Sequence, residues 1–289
     1  MIPPAEMEEL LKLDQAGFFP APGENAGEFL HRVRKVRRVF ADFDKKVRLG
    51  TAEFESIKLS AAETVPPEFI REAGEITEKL YGFQMLHVPG FFLTKGVGLL
   101  WGGCMIGDTE SGLSLFFIRS TFRKRPRYLV YDRRELFAHE LCHAARMALG
   151  NNSRFEEHFA YQTSRSRLRR TFGNCFVRTY DALGFVAGSF LLLLGQILRV
   201  FLLPDLWIWP FWVLALAYPV FLLLRNHAAR RILKKAEKNL LAAGYREPQK
   251  VLFRATDAET EQLAAGISPD NFTDLRWELL RSVYLPGKK

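Results

Sequence analysis

A chain of 289 residues with 48% hydrophobic and 25% charged residues is long enough for one large folded domain or two smaller ones, and too apolar to be disordered. Its three cysteines, Cys104, Cys142 and Cys175, are too sparse for a disulfide framework, which excludes a small stapled scaffold and suits a reducing compartment. The net charge of +9 points to nucleic acid or to an anionic membrane surface, and the segments that follow favour the membrane.

The opening MIPPAEMEEL is acidic and has no apolar core, so no secretory signal is expected. A short helix is predicted over residues 5–13, a Pro/Gly turn over 19–23, and a second helix from about Glu24. The run His31-Arg32-Val33-Arg34-Lys35-Val36-Arg37-Arg38-Val39-Phe40 is strongly basic. Val33, Val36, Val39 and Phe40 nevertheless share one helical face, so the run reads as the solvated side of a packed helix, with contact to acidic headgroups as the second reading. No aromatic residues interleave with the cations, so nucleic acid is not an expected partner.

A further helix is predicted over 67–80, with proline in its first turn and Gly82 just past its end. Residues 97–106 and 112–122 are apolar, β-prone runs separated by Gly107-Asp108-Thr109-Glu110-Ser111, and they read as a hairpin. Tyr128-Leu129-Val130-Tyr131 reads as another strand. The stretch 89–106 approaches the length of a membrane span, but Lys95 and its many glycines indicate sheet and loop.

The chemistry concentrates in His139-Glu140-Leu141-Cys142-His143. Residues 132–149 contain neither proline nor glycine, and Gly150 follows as a stop, so the motif falls on a helix. Side chains four apart on a helix project about 40° from each other, which lets His139 and His143 share one metal ion. Zinc accepts such nitrogens, and Glu140, at the edge of the same face, is placed to take a proton from an activated water. Phe137, Leu141, Ala144, Ala145 and Ala148 form an apolar stripe roughly opposite, so the helix can bury one side and turn the histidines to a cleft. Beyond the turn Asn151-Asn152-Ser153, Ser153 and Glu156 match the S-x-x-E capping box. With Glu156 folded back to the cap, Glu157 is the carboxylate left to complete the metal site; Glu156 and His158 stay open as alternatives.

After a basic stretch (Arg165, Arg167, Arg169, Arg170, Arg178), residues 182–198 are uncharged and the apolar run resumes after Arg199 through Leu203. Pro204-Asp205 makes a turn, and 206–224 is again free of charge. Two such runs fit a transmembrane hairpin, with Trp207, Trp209 and Trp212 as an interfacial belt. Basic residues crowd both outer flanks while Arg199 alone lies near the tip. Both ends of the hairpin, and with them the metal site, are therefore expected on the cytoplasmic side of a plasma or inner membrane. A basic amphipathic helix is predicted over 228–243, a strand over 250–256, and helices over 257–265 and 274–284. Glu259 and Glu261 in this tail are distal candidates for a third ligand, ranked below Glu157.

Over residues 127–165 the chain resembles the zincin metallopeptidases, and within them the gluzincin branch, where H-E-x-x-H and a glutamate on the next helix bind zinc. The resemblance implies His139, His143 and Glu157 as ligands, Glu140 as general base, and Tyr161 as a group that orients substrate or stabilises an oxyanion. It also implies a small sheet ahead of the metal helix whose edge strand holds an extended peptide. Two features depart from the thermolysin-like pattern: the spacing from His143 to Glu157 is short, and Tyr161 stands where that pattern has an aspartate. The expected fold class is α+β, with a metallopeptidase domain over 1–180, a membrane hairpin over 181–225 and a cytoplasmic segment over 226–289. The expected function is zinc-dependent hydrolysis of peptide bonds, on peptide or protein substrates at or near the bilayer. The alternatives are a non-catalytic membrane adaptor that keeps the fold, and a hydrolase resembling peptide deformylase that uses Cys104 with the two histidines.

Overall fold

The chain opens with two helices, as the sequence leads one to expect. Helix α1 (Pro4–Gln15) opens on a proline, and α2 (Ala26–Arg48) opens on a capping box in which the Asn25 side chain accepts from Glu28 N and Glu28 returns the bond to Asn25 N. A computed structural model describes residues 3–54, 57–94, 98, 101–107, 112–150 and 154–285. Phe29 and Val33 of α2 pack against Leu10 and Leu13 of α1, while Phe43 and Val47 pack toward the sheet. The basic run is thus the outer flank of a packed helix. A short antiparallel pair, β1 (Ala52–Phe54) and β2 (Ile57–Leu59), follows. Next comes α3 (Pro67–Tyr81), ended by Gly82 at φ 75°, the left-handed cap that glycine supplies without strain.

The central sheet has the order β3-β5-β4, from β3 (Gly90–Leu93), β4 (Gly103–Gly107) and β5 (Ser114–Arg119). β3 runs parallel to β5, and β4 pairs with it antiparallel, Met105 opposite Phe116. The expected hairpin is therefore present, although its turn, residues 108–111, lies outside the described residues. Alternation along β5 divides the core: Phe116 and Ile118 point to one face, Leu115 and Phe117 to the other, where Phe43 and Val47 of α2 lie. The single strand expected at Tyr128–Tyr131 is instead two minimal strands, β6 (Arg127–Tyr128) and β7 (Tyr131–Asp132). The chain reverses at Leu129, whose φ of 50° is incompatible with a continuous strand.

Helix α4 (Arg133–Arg146) begins at once, capped by the Asp132 carboxylate on the amides of Arg134 and Glu135. Phe137 of α4 meets Phe116 edge to face, 5.8 Å between centroids, which seats the helix on the sheet. Short helices α5 (Glu156–Tyr161) and α6 (Arg167–Phe172) lead to two long ones, α7 (Thr179–Phe201) and α8 (Trp209–Ala242). Over Tyr180–Phe201 and along α8 both are long and apolar enough to cross a membrane, and most of that apolar surface is exposed. Small residues let the pair approach: a Cβ on Gly184 or Gly195 would lie within 2.7 Å of the Tyr218 or Phe211 ring, and Gly188 faces the Ala215 backbone. At the base of the hairpin the buried Asp181 carboxylate takes two bonds from Arg225, at 2.6 and 3.1 Å, and one from the Tyr218 hydroxyl at 3.1 Å.

Two expectations for the tail are corrected. The second span and the amphipathic helix at 228–243 form one unbroken α8, because Arg225 and Asn226 interrupt hydropathy without interrupting helical propensity. The strand expected at 250–256 is helix α9 (Pro248–Arg254): Pro248 starts a helix, and Val251, Leu252 and Phe253 are all buried, so the run carries no strand-like alternation. Helices α10 (Asp257–Ala264) and α11 (Leu275–Tyr284) follow as expected. Residues from 226 onward share the core of α4: Leu233, Leu240, Phe253 and Trp277 belong to the same cluster as Phe137, Leu141 and Ala145.

His87 gives this core an acid-sensitive point. Its ring stacks on Phe18 at 4.3 Å, and burial, helped by the charge of Arg37, lowers its pKa to about 4. The unfolded chain, with the ordinary value near 6.5, binds the extra proton first. Stability is therefore intact above pH 6.5 and falls as pH drops toward 4, by up to about 3 kcal/mol from this residue. Thermal melts at pH 7 and pH 4.5 are expected to differ less for His87→Gln than for the wild type.

Candidate metal centre

Helix α4 presents His139, Glu140 and His143 to a cleft while Ala138, Leu141, Cys142 and Ala145 are buried behind them. α5 crosses in front, and among the described residues His139, His143 and Glu157 form a group whose ligand atoms all lie within 4.8 Å of one another. His139 Nε2 and His143 Nε2 are 3.2 Å apart, Glu157 Oε2 is 3.6 Å from His139 Nε2, and Glu157 Oε1 is 3.5 Å from His143 Nε2. Ligands held about 2.0–2.1 Å from a tetrahedral zinc are separated by about 3.3–3.5 Å. The three groups therefore fit one ion of that size, and the donor set of two imidazoles and a carboxylate suits zinc.

Each histidine is oriented from behind. The far nitrogen of His143, Nδ1, lies 2.8 Å from Glu156 Oε1, and the His139 ring bonds to the backbone of Ala160. Both contacts leave the Nε2 atoms turned toward each other and toward Glu157, the arrangement in which a carboxylate or carbonyl fixes the ring of a metal-binding histidine. Glu156 thus does not cap its helix. Phe155 occupies the cap position without a side-chain bond, and Ser153, the expected cap, lies outside the described residues. Removing the Glu156 carboxylate as Glu156→Ala is expected to weaken zinc affinity by about 10–100-fold while leaving one site per chain, measured by competition with a chromophoric chelator.

Glu140 sits beside the pair with its carboxylate held by the edge of the sheet: Met105 N donates to Oε2 at 2.9 Å. Burial raises its pKa, opposed by His143 and by that amide. Burial likewise raises Glu157, and burial together with His143 keeps His139 well below the usual imidazole range. For His143 burial works against charge, but the Glu156 hydrogen bond and the charges of Glu157, Glu140 and Glu156 lift it to about 9. The carboxylates of Glu140, Glu156 and Glu157 thus surround the two imidazoles, a place for positive charge that a divalent ion would fill.

Longer-range contacts hold α5 at this distance. At the start of α4, the buried Glu135 carboxylate accepts from Ser164 Oγ (2.7 Å) and Arg165 N (3.0 Å), with Arg169 at 3.6 Å. In the middle, the Tyr81 hydroxyl donates to Phe159 O at 2.7 Å. At the far end, the buried Arg146 guanidinium donates to Phe253 O and Ala255 O and lies over the Phe159 ring, and Asp257 accepts from Arg154 N at 2.8 Å. Tyr161 packs its ring on His139, centroids 4.7 Å apart, and any side chain at Gly173 would strike it.

The remaining candidates lie elsewhere. His158 turns away into the packing against α8, with its pKa lowered to about 4 by burial and then by Arg230. Glu259 accepts from Arg276 and Trp277 Nε1, and Glu261 pairs with Arg154. Cys104 packs with the cluster of Phe43, Phe54 and Phe117 on the side of the sheet away from α4. What the sequence did not disclose are the positioning groups Glu156, Glu135, Met105 N and Ala160 O. The adjacent Glu156-Glu157 pair was the visible signal for the first, and the others act through backbone atoms or distant partners.

Compared with known protein families, with curated proteins and with solved structures, the chain matches none.

Proposed function

We propose that this chain is a membrane-anchored zinc metallopeptidase of zincin type, with its metal domain on the cytoplasmic side of the bilayer. The observation that carries the reading is the convergence of His139, His143 and Glu157 at 3.2–3.6 Å beside Glu140. These three residues would hold the ion, which when bound supplies a Lewis acid that activates water and polarises a carbonyl. Glu140, raised in pKa by burial and fixed by Met105, takes a proton from the attacking water and passes it to the leaving amine. Among the described residues β4 is an edge strand, so an extended substrate can pair along its outer side next to Glu140. Tyr161, against His139, borders the same cleft and orients the substrate.

The anchor is the α7–α8 hairpin. Arg165, Arg167, Arg169, Arg170 and Arg178 precede it, and Arg225, Arg230, Arg231, Lys234 and Lys235 follow its apolar part, whereas its tip carries Arg199 alone. That asymmetry supports a cytoplasmic base. Substrates near the membrane follow from the anchor. The test is hydrolysis of peptides by the full chain in detergent or liposomes, wild type against Glu140→Gln: metal-dependent cleavage by the first and not the second supports the enzyme, and equal rates refute it.

A further inference from the structure

Because α8 is one continuous helix, a single face of it runs from the apolar span into a cationic stretch. Val220 and Leu224 are followed on that face by Arg231 and Lys234, at spacings of three to four residues or their multiples. α6 supplies the opposite wall. Asn226 Nδ2 and Arg230 Nη1 both bond to Thr171 O, at 2.8 and 3.2 Å, which fixes α6 level with the point where the apolar part of α8 ends. Between the walls lies an open groove of about 560 Å³, within the range of small-ligand sites, with Phe172, Val220 and Leu224 toward the span and Arg231 and Lys234 toward the other end.

We propose that this groove binds one anionic phospholipid, its phosphate between Arg231 and Lys234 and the upper part of its acyl chains along Phe172, Val220 and Leu224. The proposal rests on reading α7 and α8 as a membrane hairpin, and not on peptidase activity. Two features select a lipid over a free anion. The cations stand about two to three helical turns past Leu224, the last residue of the apolar run, where long side chains reach back toward the headgroup layer, and the end of the groove nearer the span is lined by side chains that a hydrophilic anion cannot use. Arg231 and Lys234 are exposed, so neither is needed to hold the helix in place.

Native mass spectrometry of the full chain in mild detergent tests this, with phosphatidylglycerol and phosphatidylcholine added separately. One retained phosphatidylglycerol and a clear preference over phosphatidylcholine are expected. Each cation near a lipid surface accounts for about fivefold in affinity, so Arg231→Gln with Lys234→Gln should lower the preference roughly thirtyfold. A matched pair of neutralisations on α2, Arg34→Gln with Arg38→Gln, should leave it unchanged, and circular dichroism checks that both variants fold. Equal preference in the wild type and the α8 variant overturns the site, as does displacement of the lipid by inorganic phosphate at equal concentration. A chain that stays monomeric in solution without detergent would overturn the membrane hairpin itself, whereas an inserted chain without lipid preference overturns only this groove.

Discussion

Glu140→Gln is expected to retain zinc and to hydrolyse peptides about a thousandfold more slowly than the wild type, a loss in the range that general acid–base catalysis contributes. The amide has the shape of the carboxylate, and its carbonyl oxygen can still accept from Met105 N, so the cleft stays assembled. What disappears is a group able to take and return a proton. Burial raises the Glu140 carboxyl above its ordinary value, which strengthens it as a base, while His143 and the Met105 amide oppose the shift. The acidic limb of the pH–rate profile should vanish with it. Rates within a few-fold of the wild type would remove Glu140 from the chemistry.

The largest effect on stability is expected at Arg254, far from the cleft. Its guanidinium binds Asp14 through Nε and Nη2, at 2.8 and 2.7 Å, and donates through Nη1 to Tyr81 O and Lys250 O. It also lies over the Phe19 ring. One buried side chain thus joins α1, the end of α3 and α9. Arg254→Ala leaves the Asp14 charge buried without its partner and should cost about 3–5 kcal/mol in chemical denaturation. The double variant Asp14→Leu with Arg254→Met should recover part of that, since the uncompensated charge carries most of the cost. A loss below about 1 kcal/mol would mean that water reaches Asp14.

The features that sequence reveals here are those with local causes. The absence of proline and glycine over 132–149 leaves that stretch to helix, Gly82 ends α3, and four-residue spacing alone places His139 and His143 side by side. The two long apolar helices follow from uninterrupted composition. Where a distant partner decides, local pattern fails. Val251-Leu252-Phe253 has strand-like composition and becomes helical because every side of it is buried. Tyr128–Tyr131 is extended in composition, yet it reverses at Leu129 so that Asp132 can cap the next helix. Glu156 fits a capping box by spacing, but its carboxylate goes to His143 thirteen residues back, a choice made by the packing of α5 on α4. The same packing turns Glu157 to the histidines, so this carboxylate reaches them by a route other than the expected capping box.

Zinc content of the purified full chain probes the metal centre most directly. Mass spectrometric metal analysis should give one zinc per wild-type chain, and less than about a tenth of that for His143→Ala and for Glu157→Ala, since each removes one of three protein ligands. Wild-type protein that takes up no zinc when it is supplied, or variants that hold as much as the wild type, would contradict a site built from His139, His143 and Glu157.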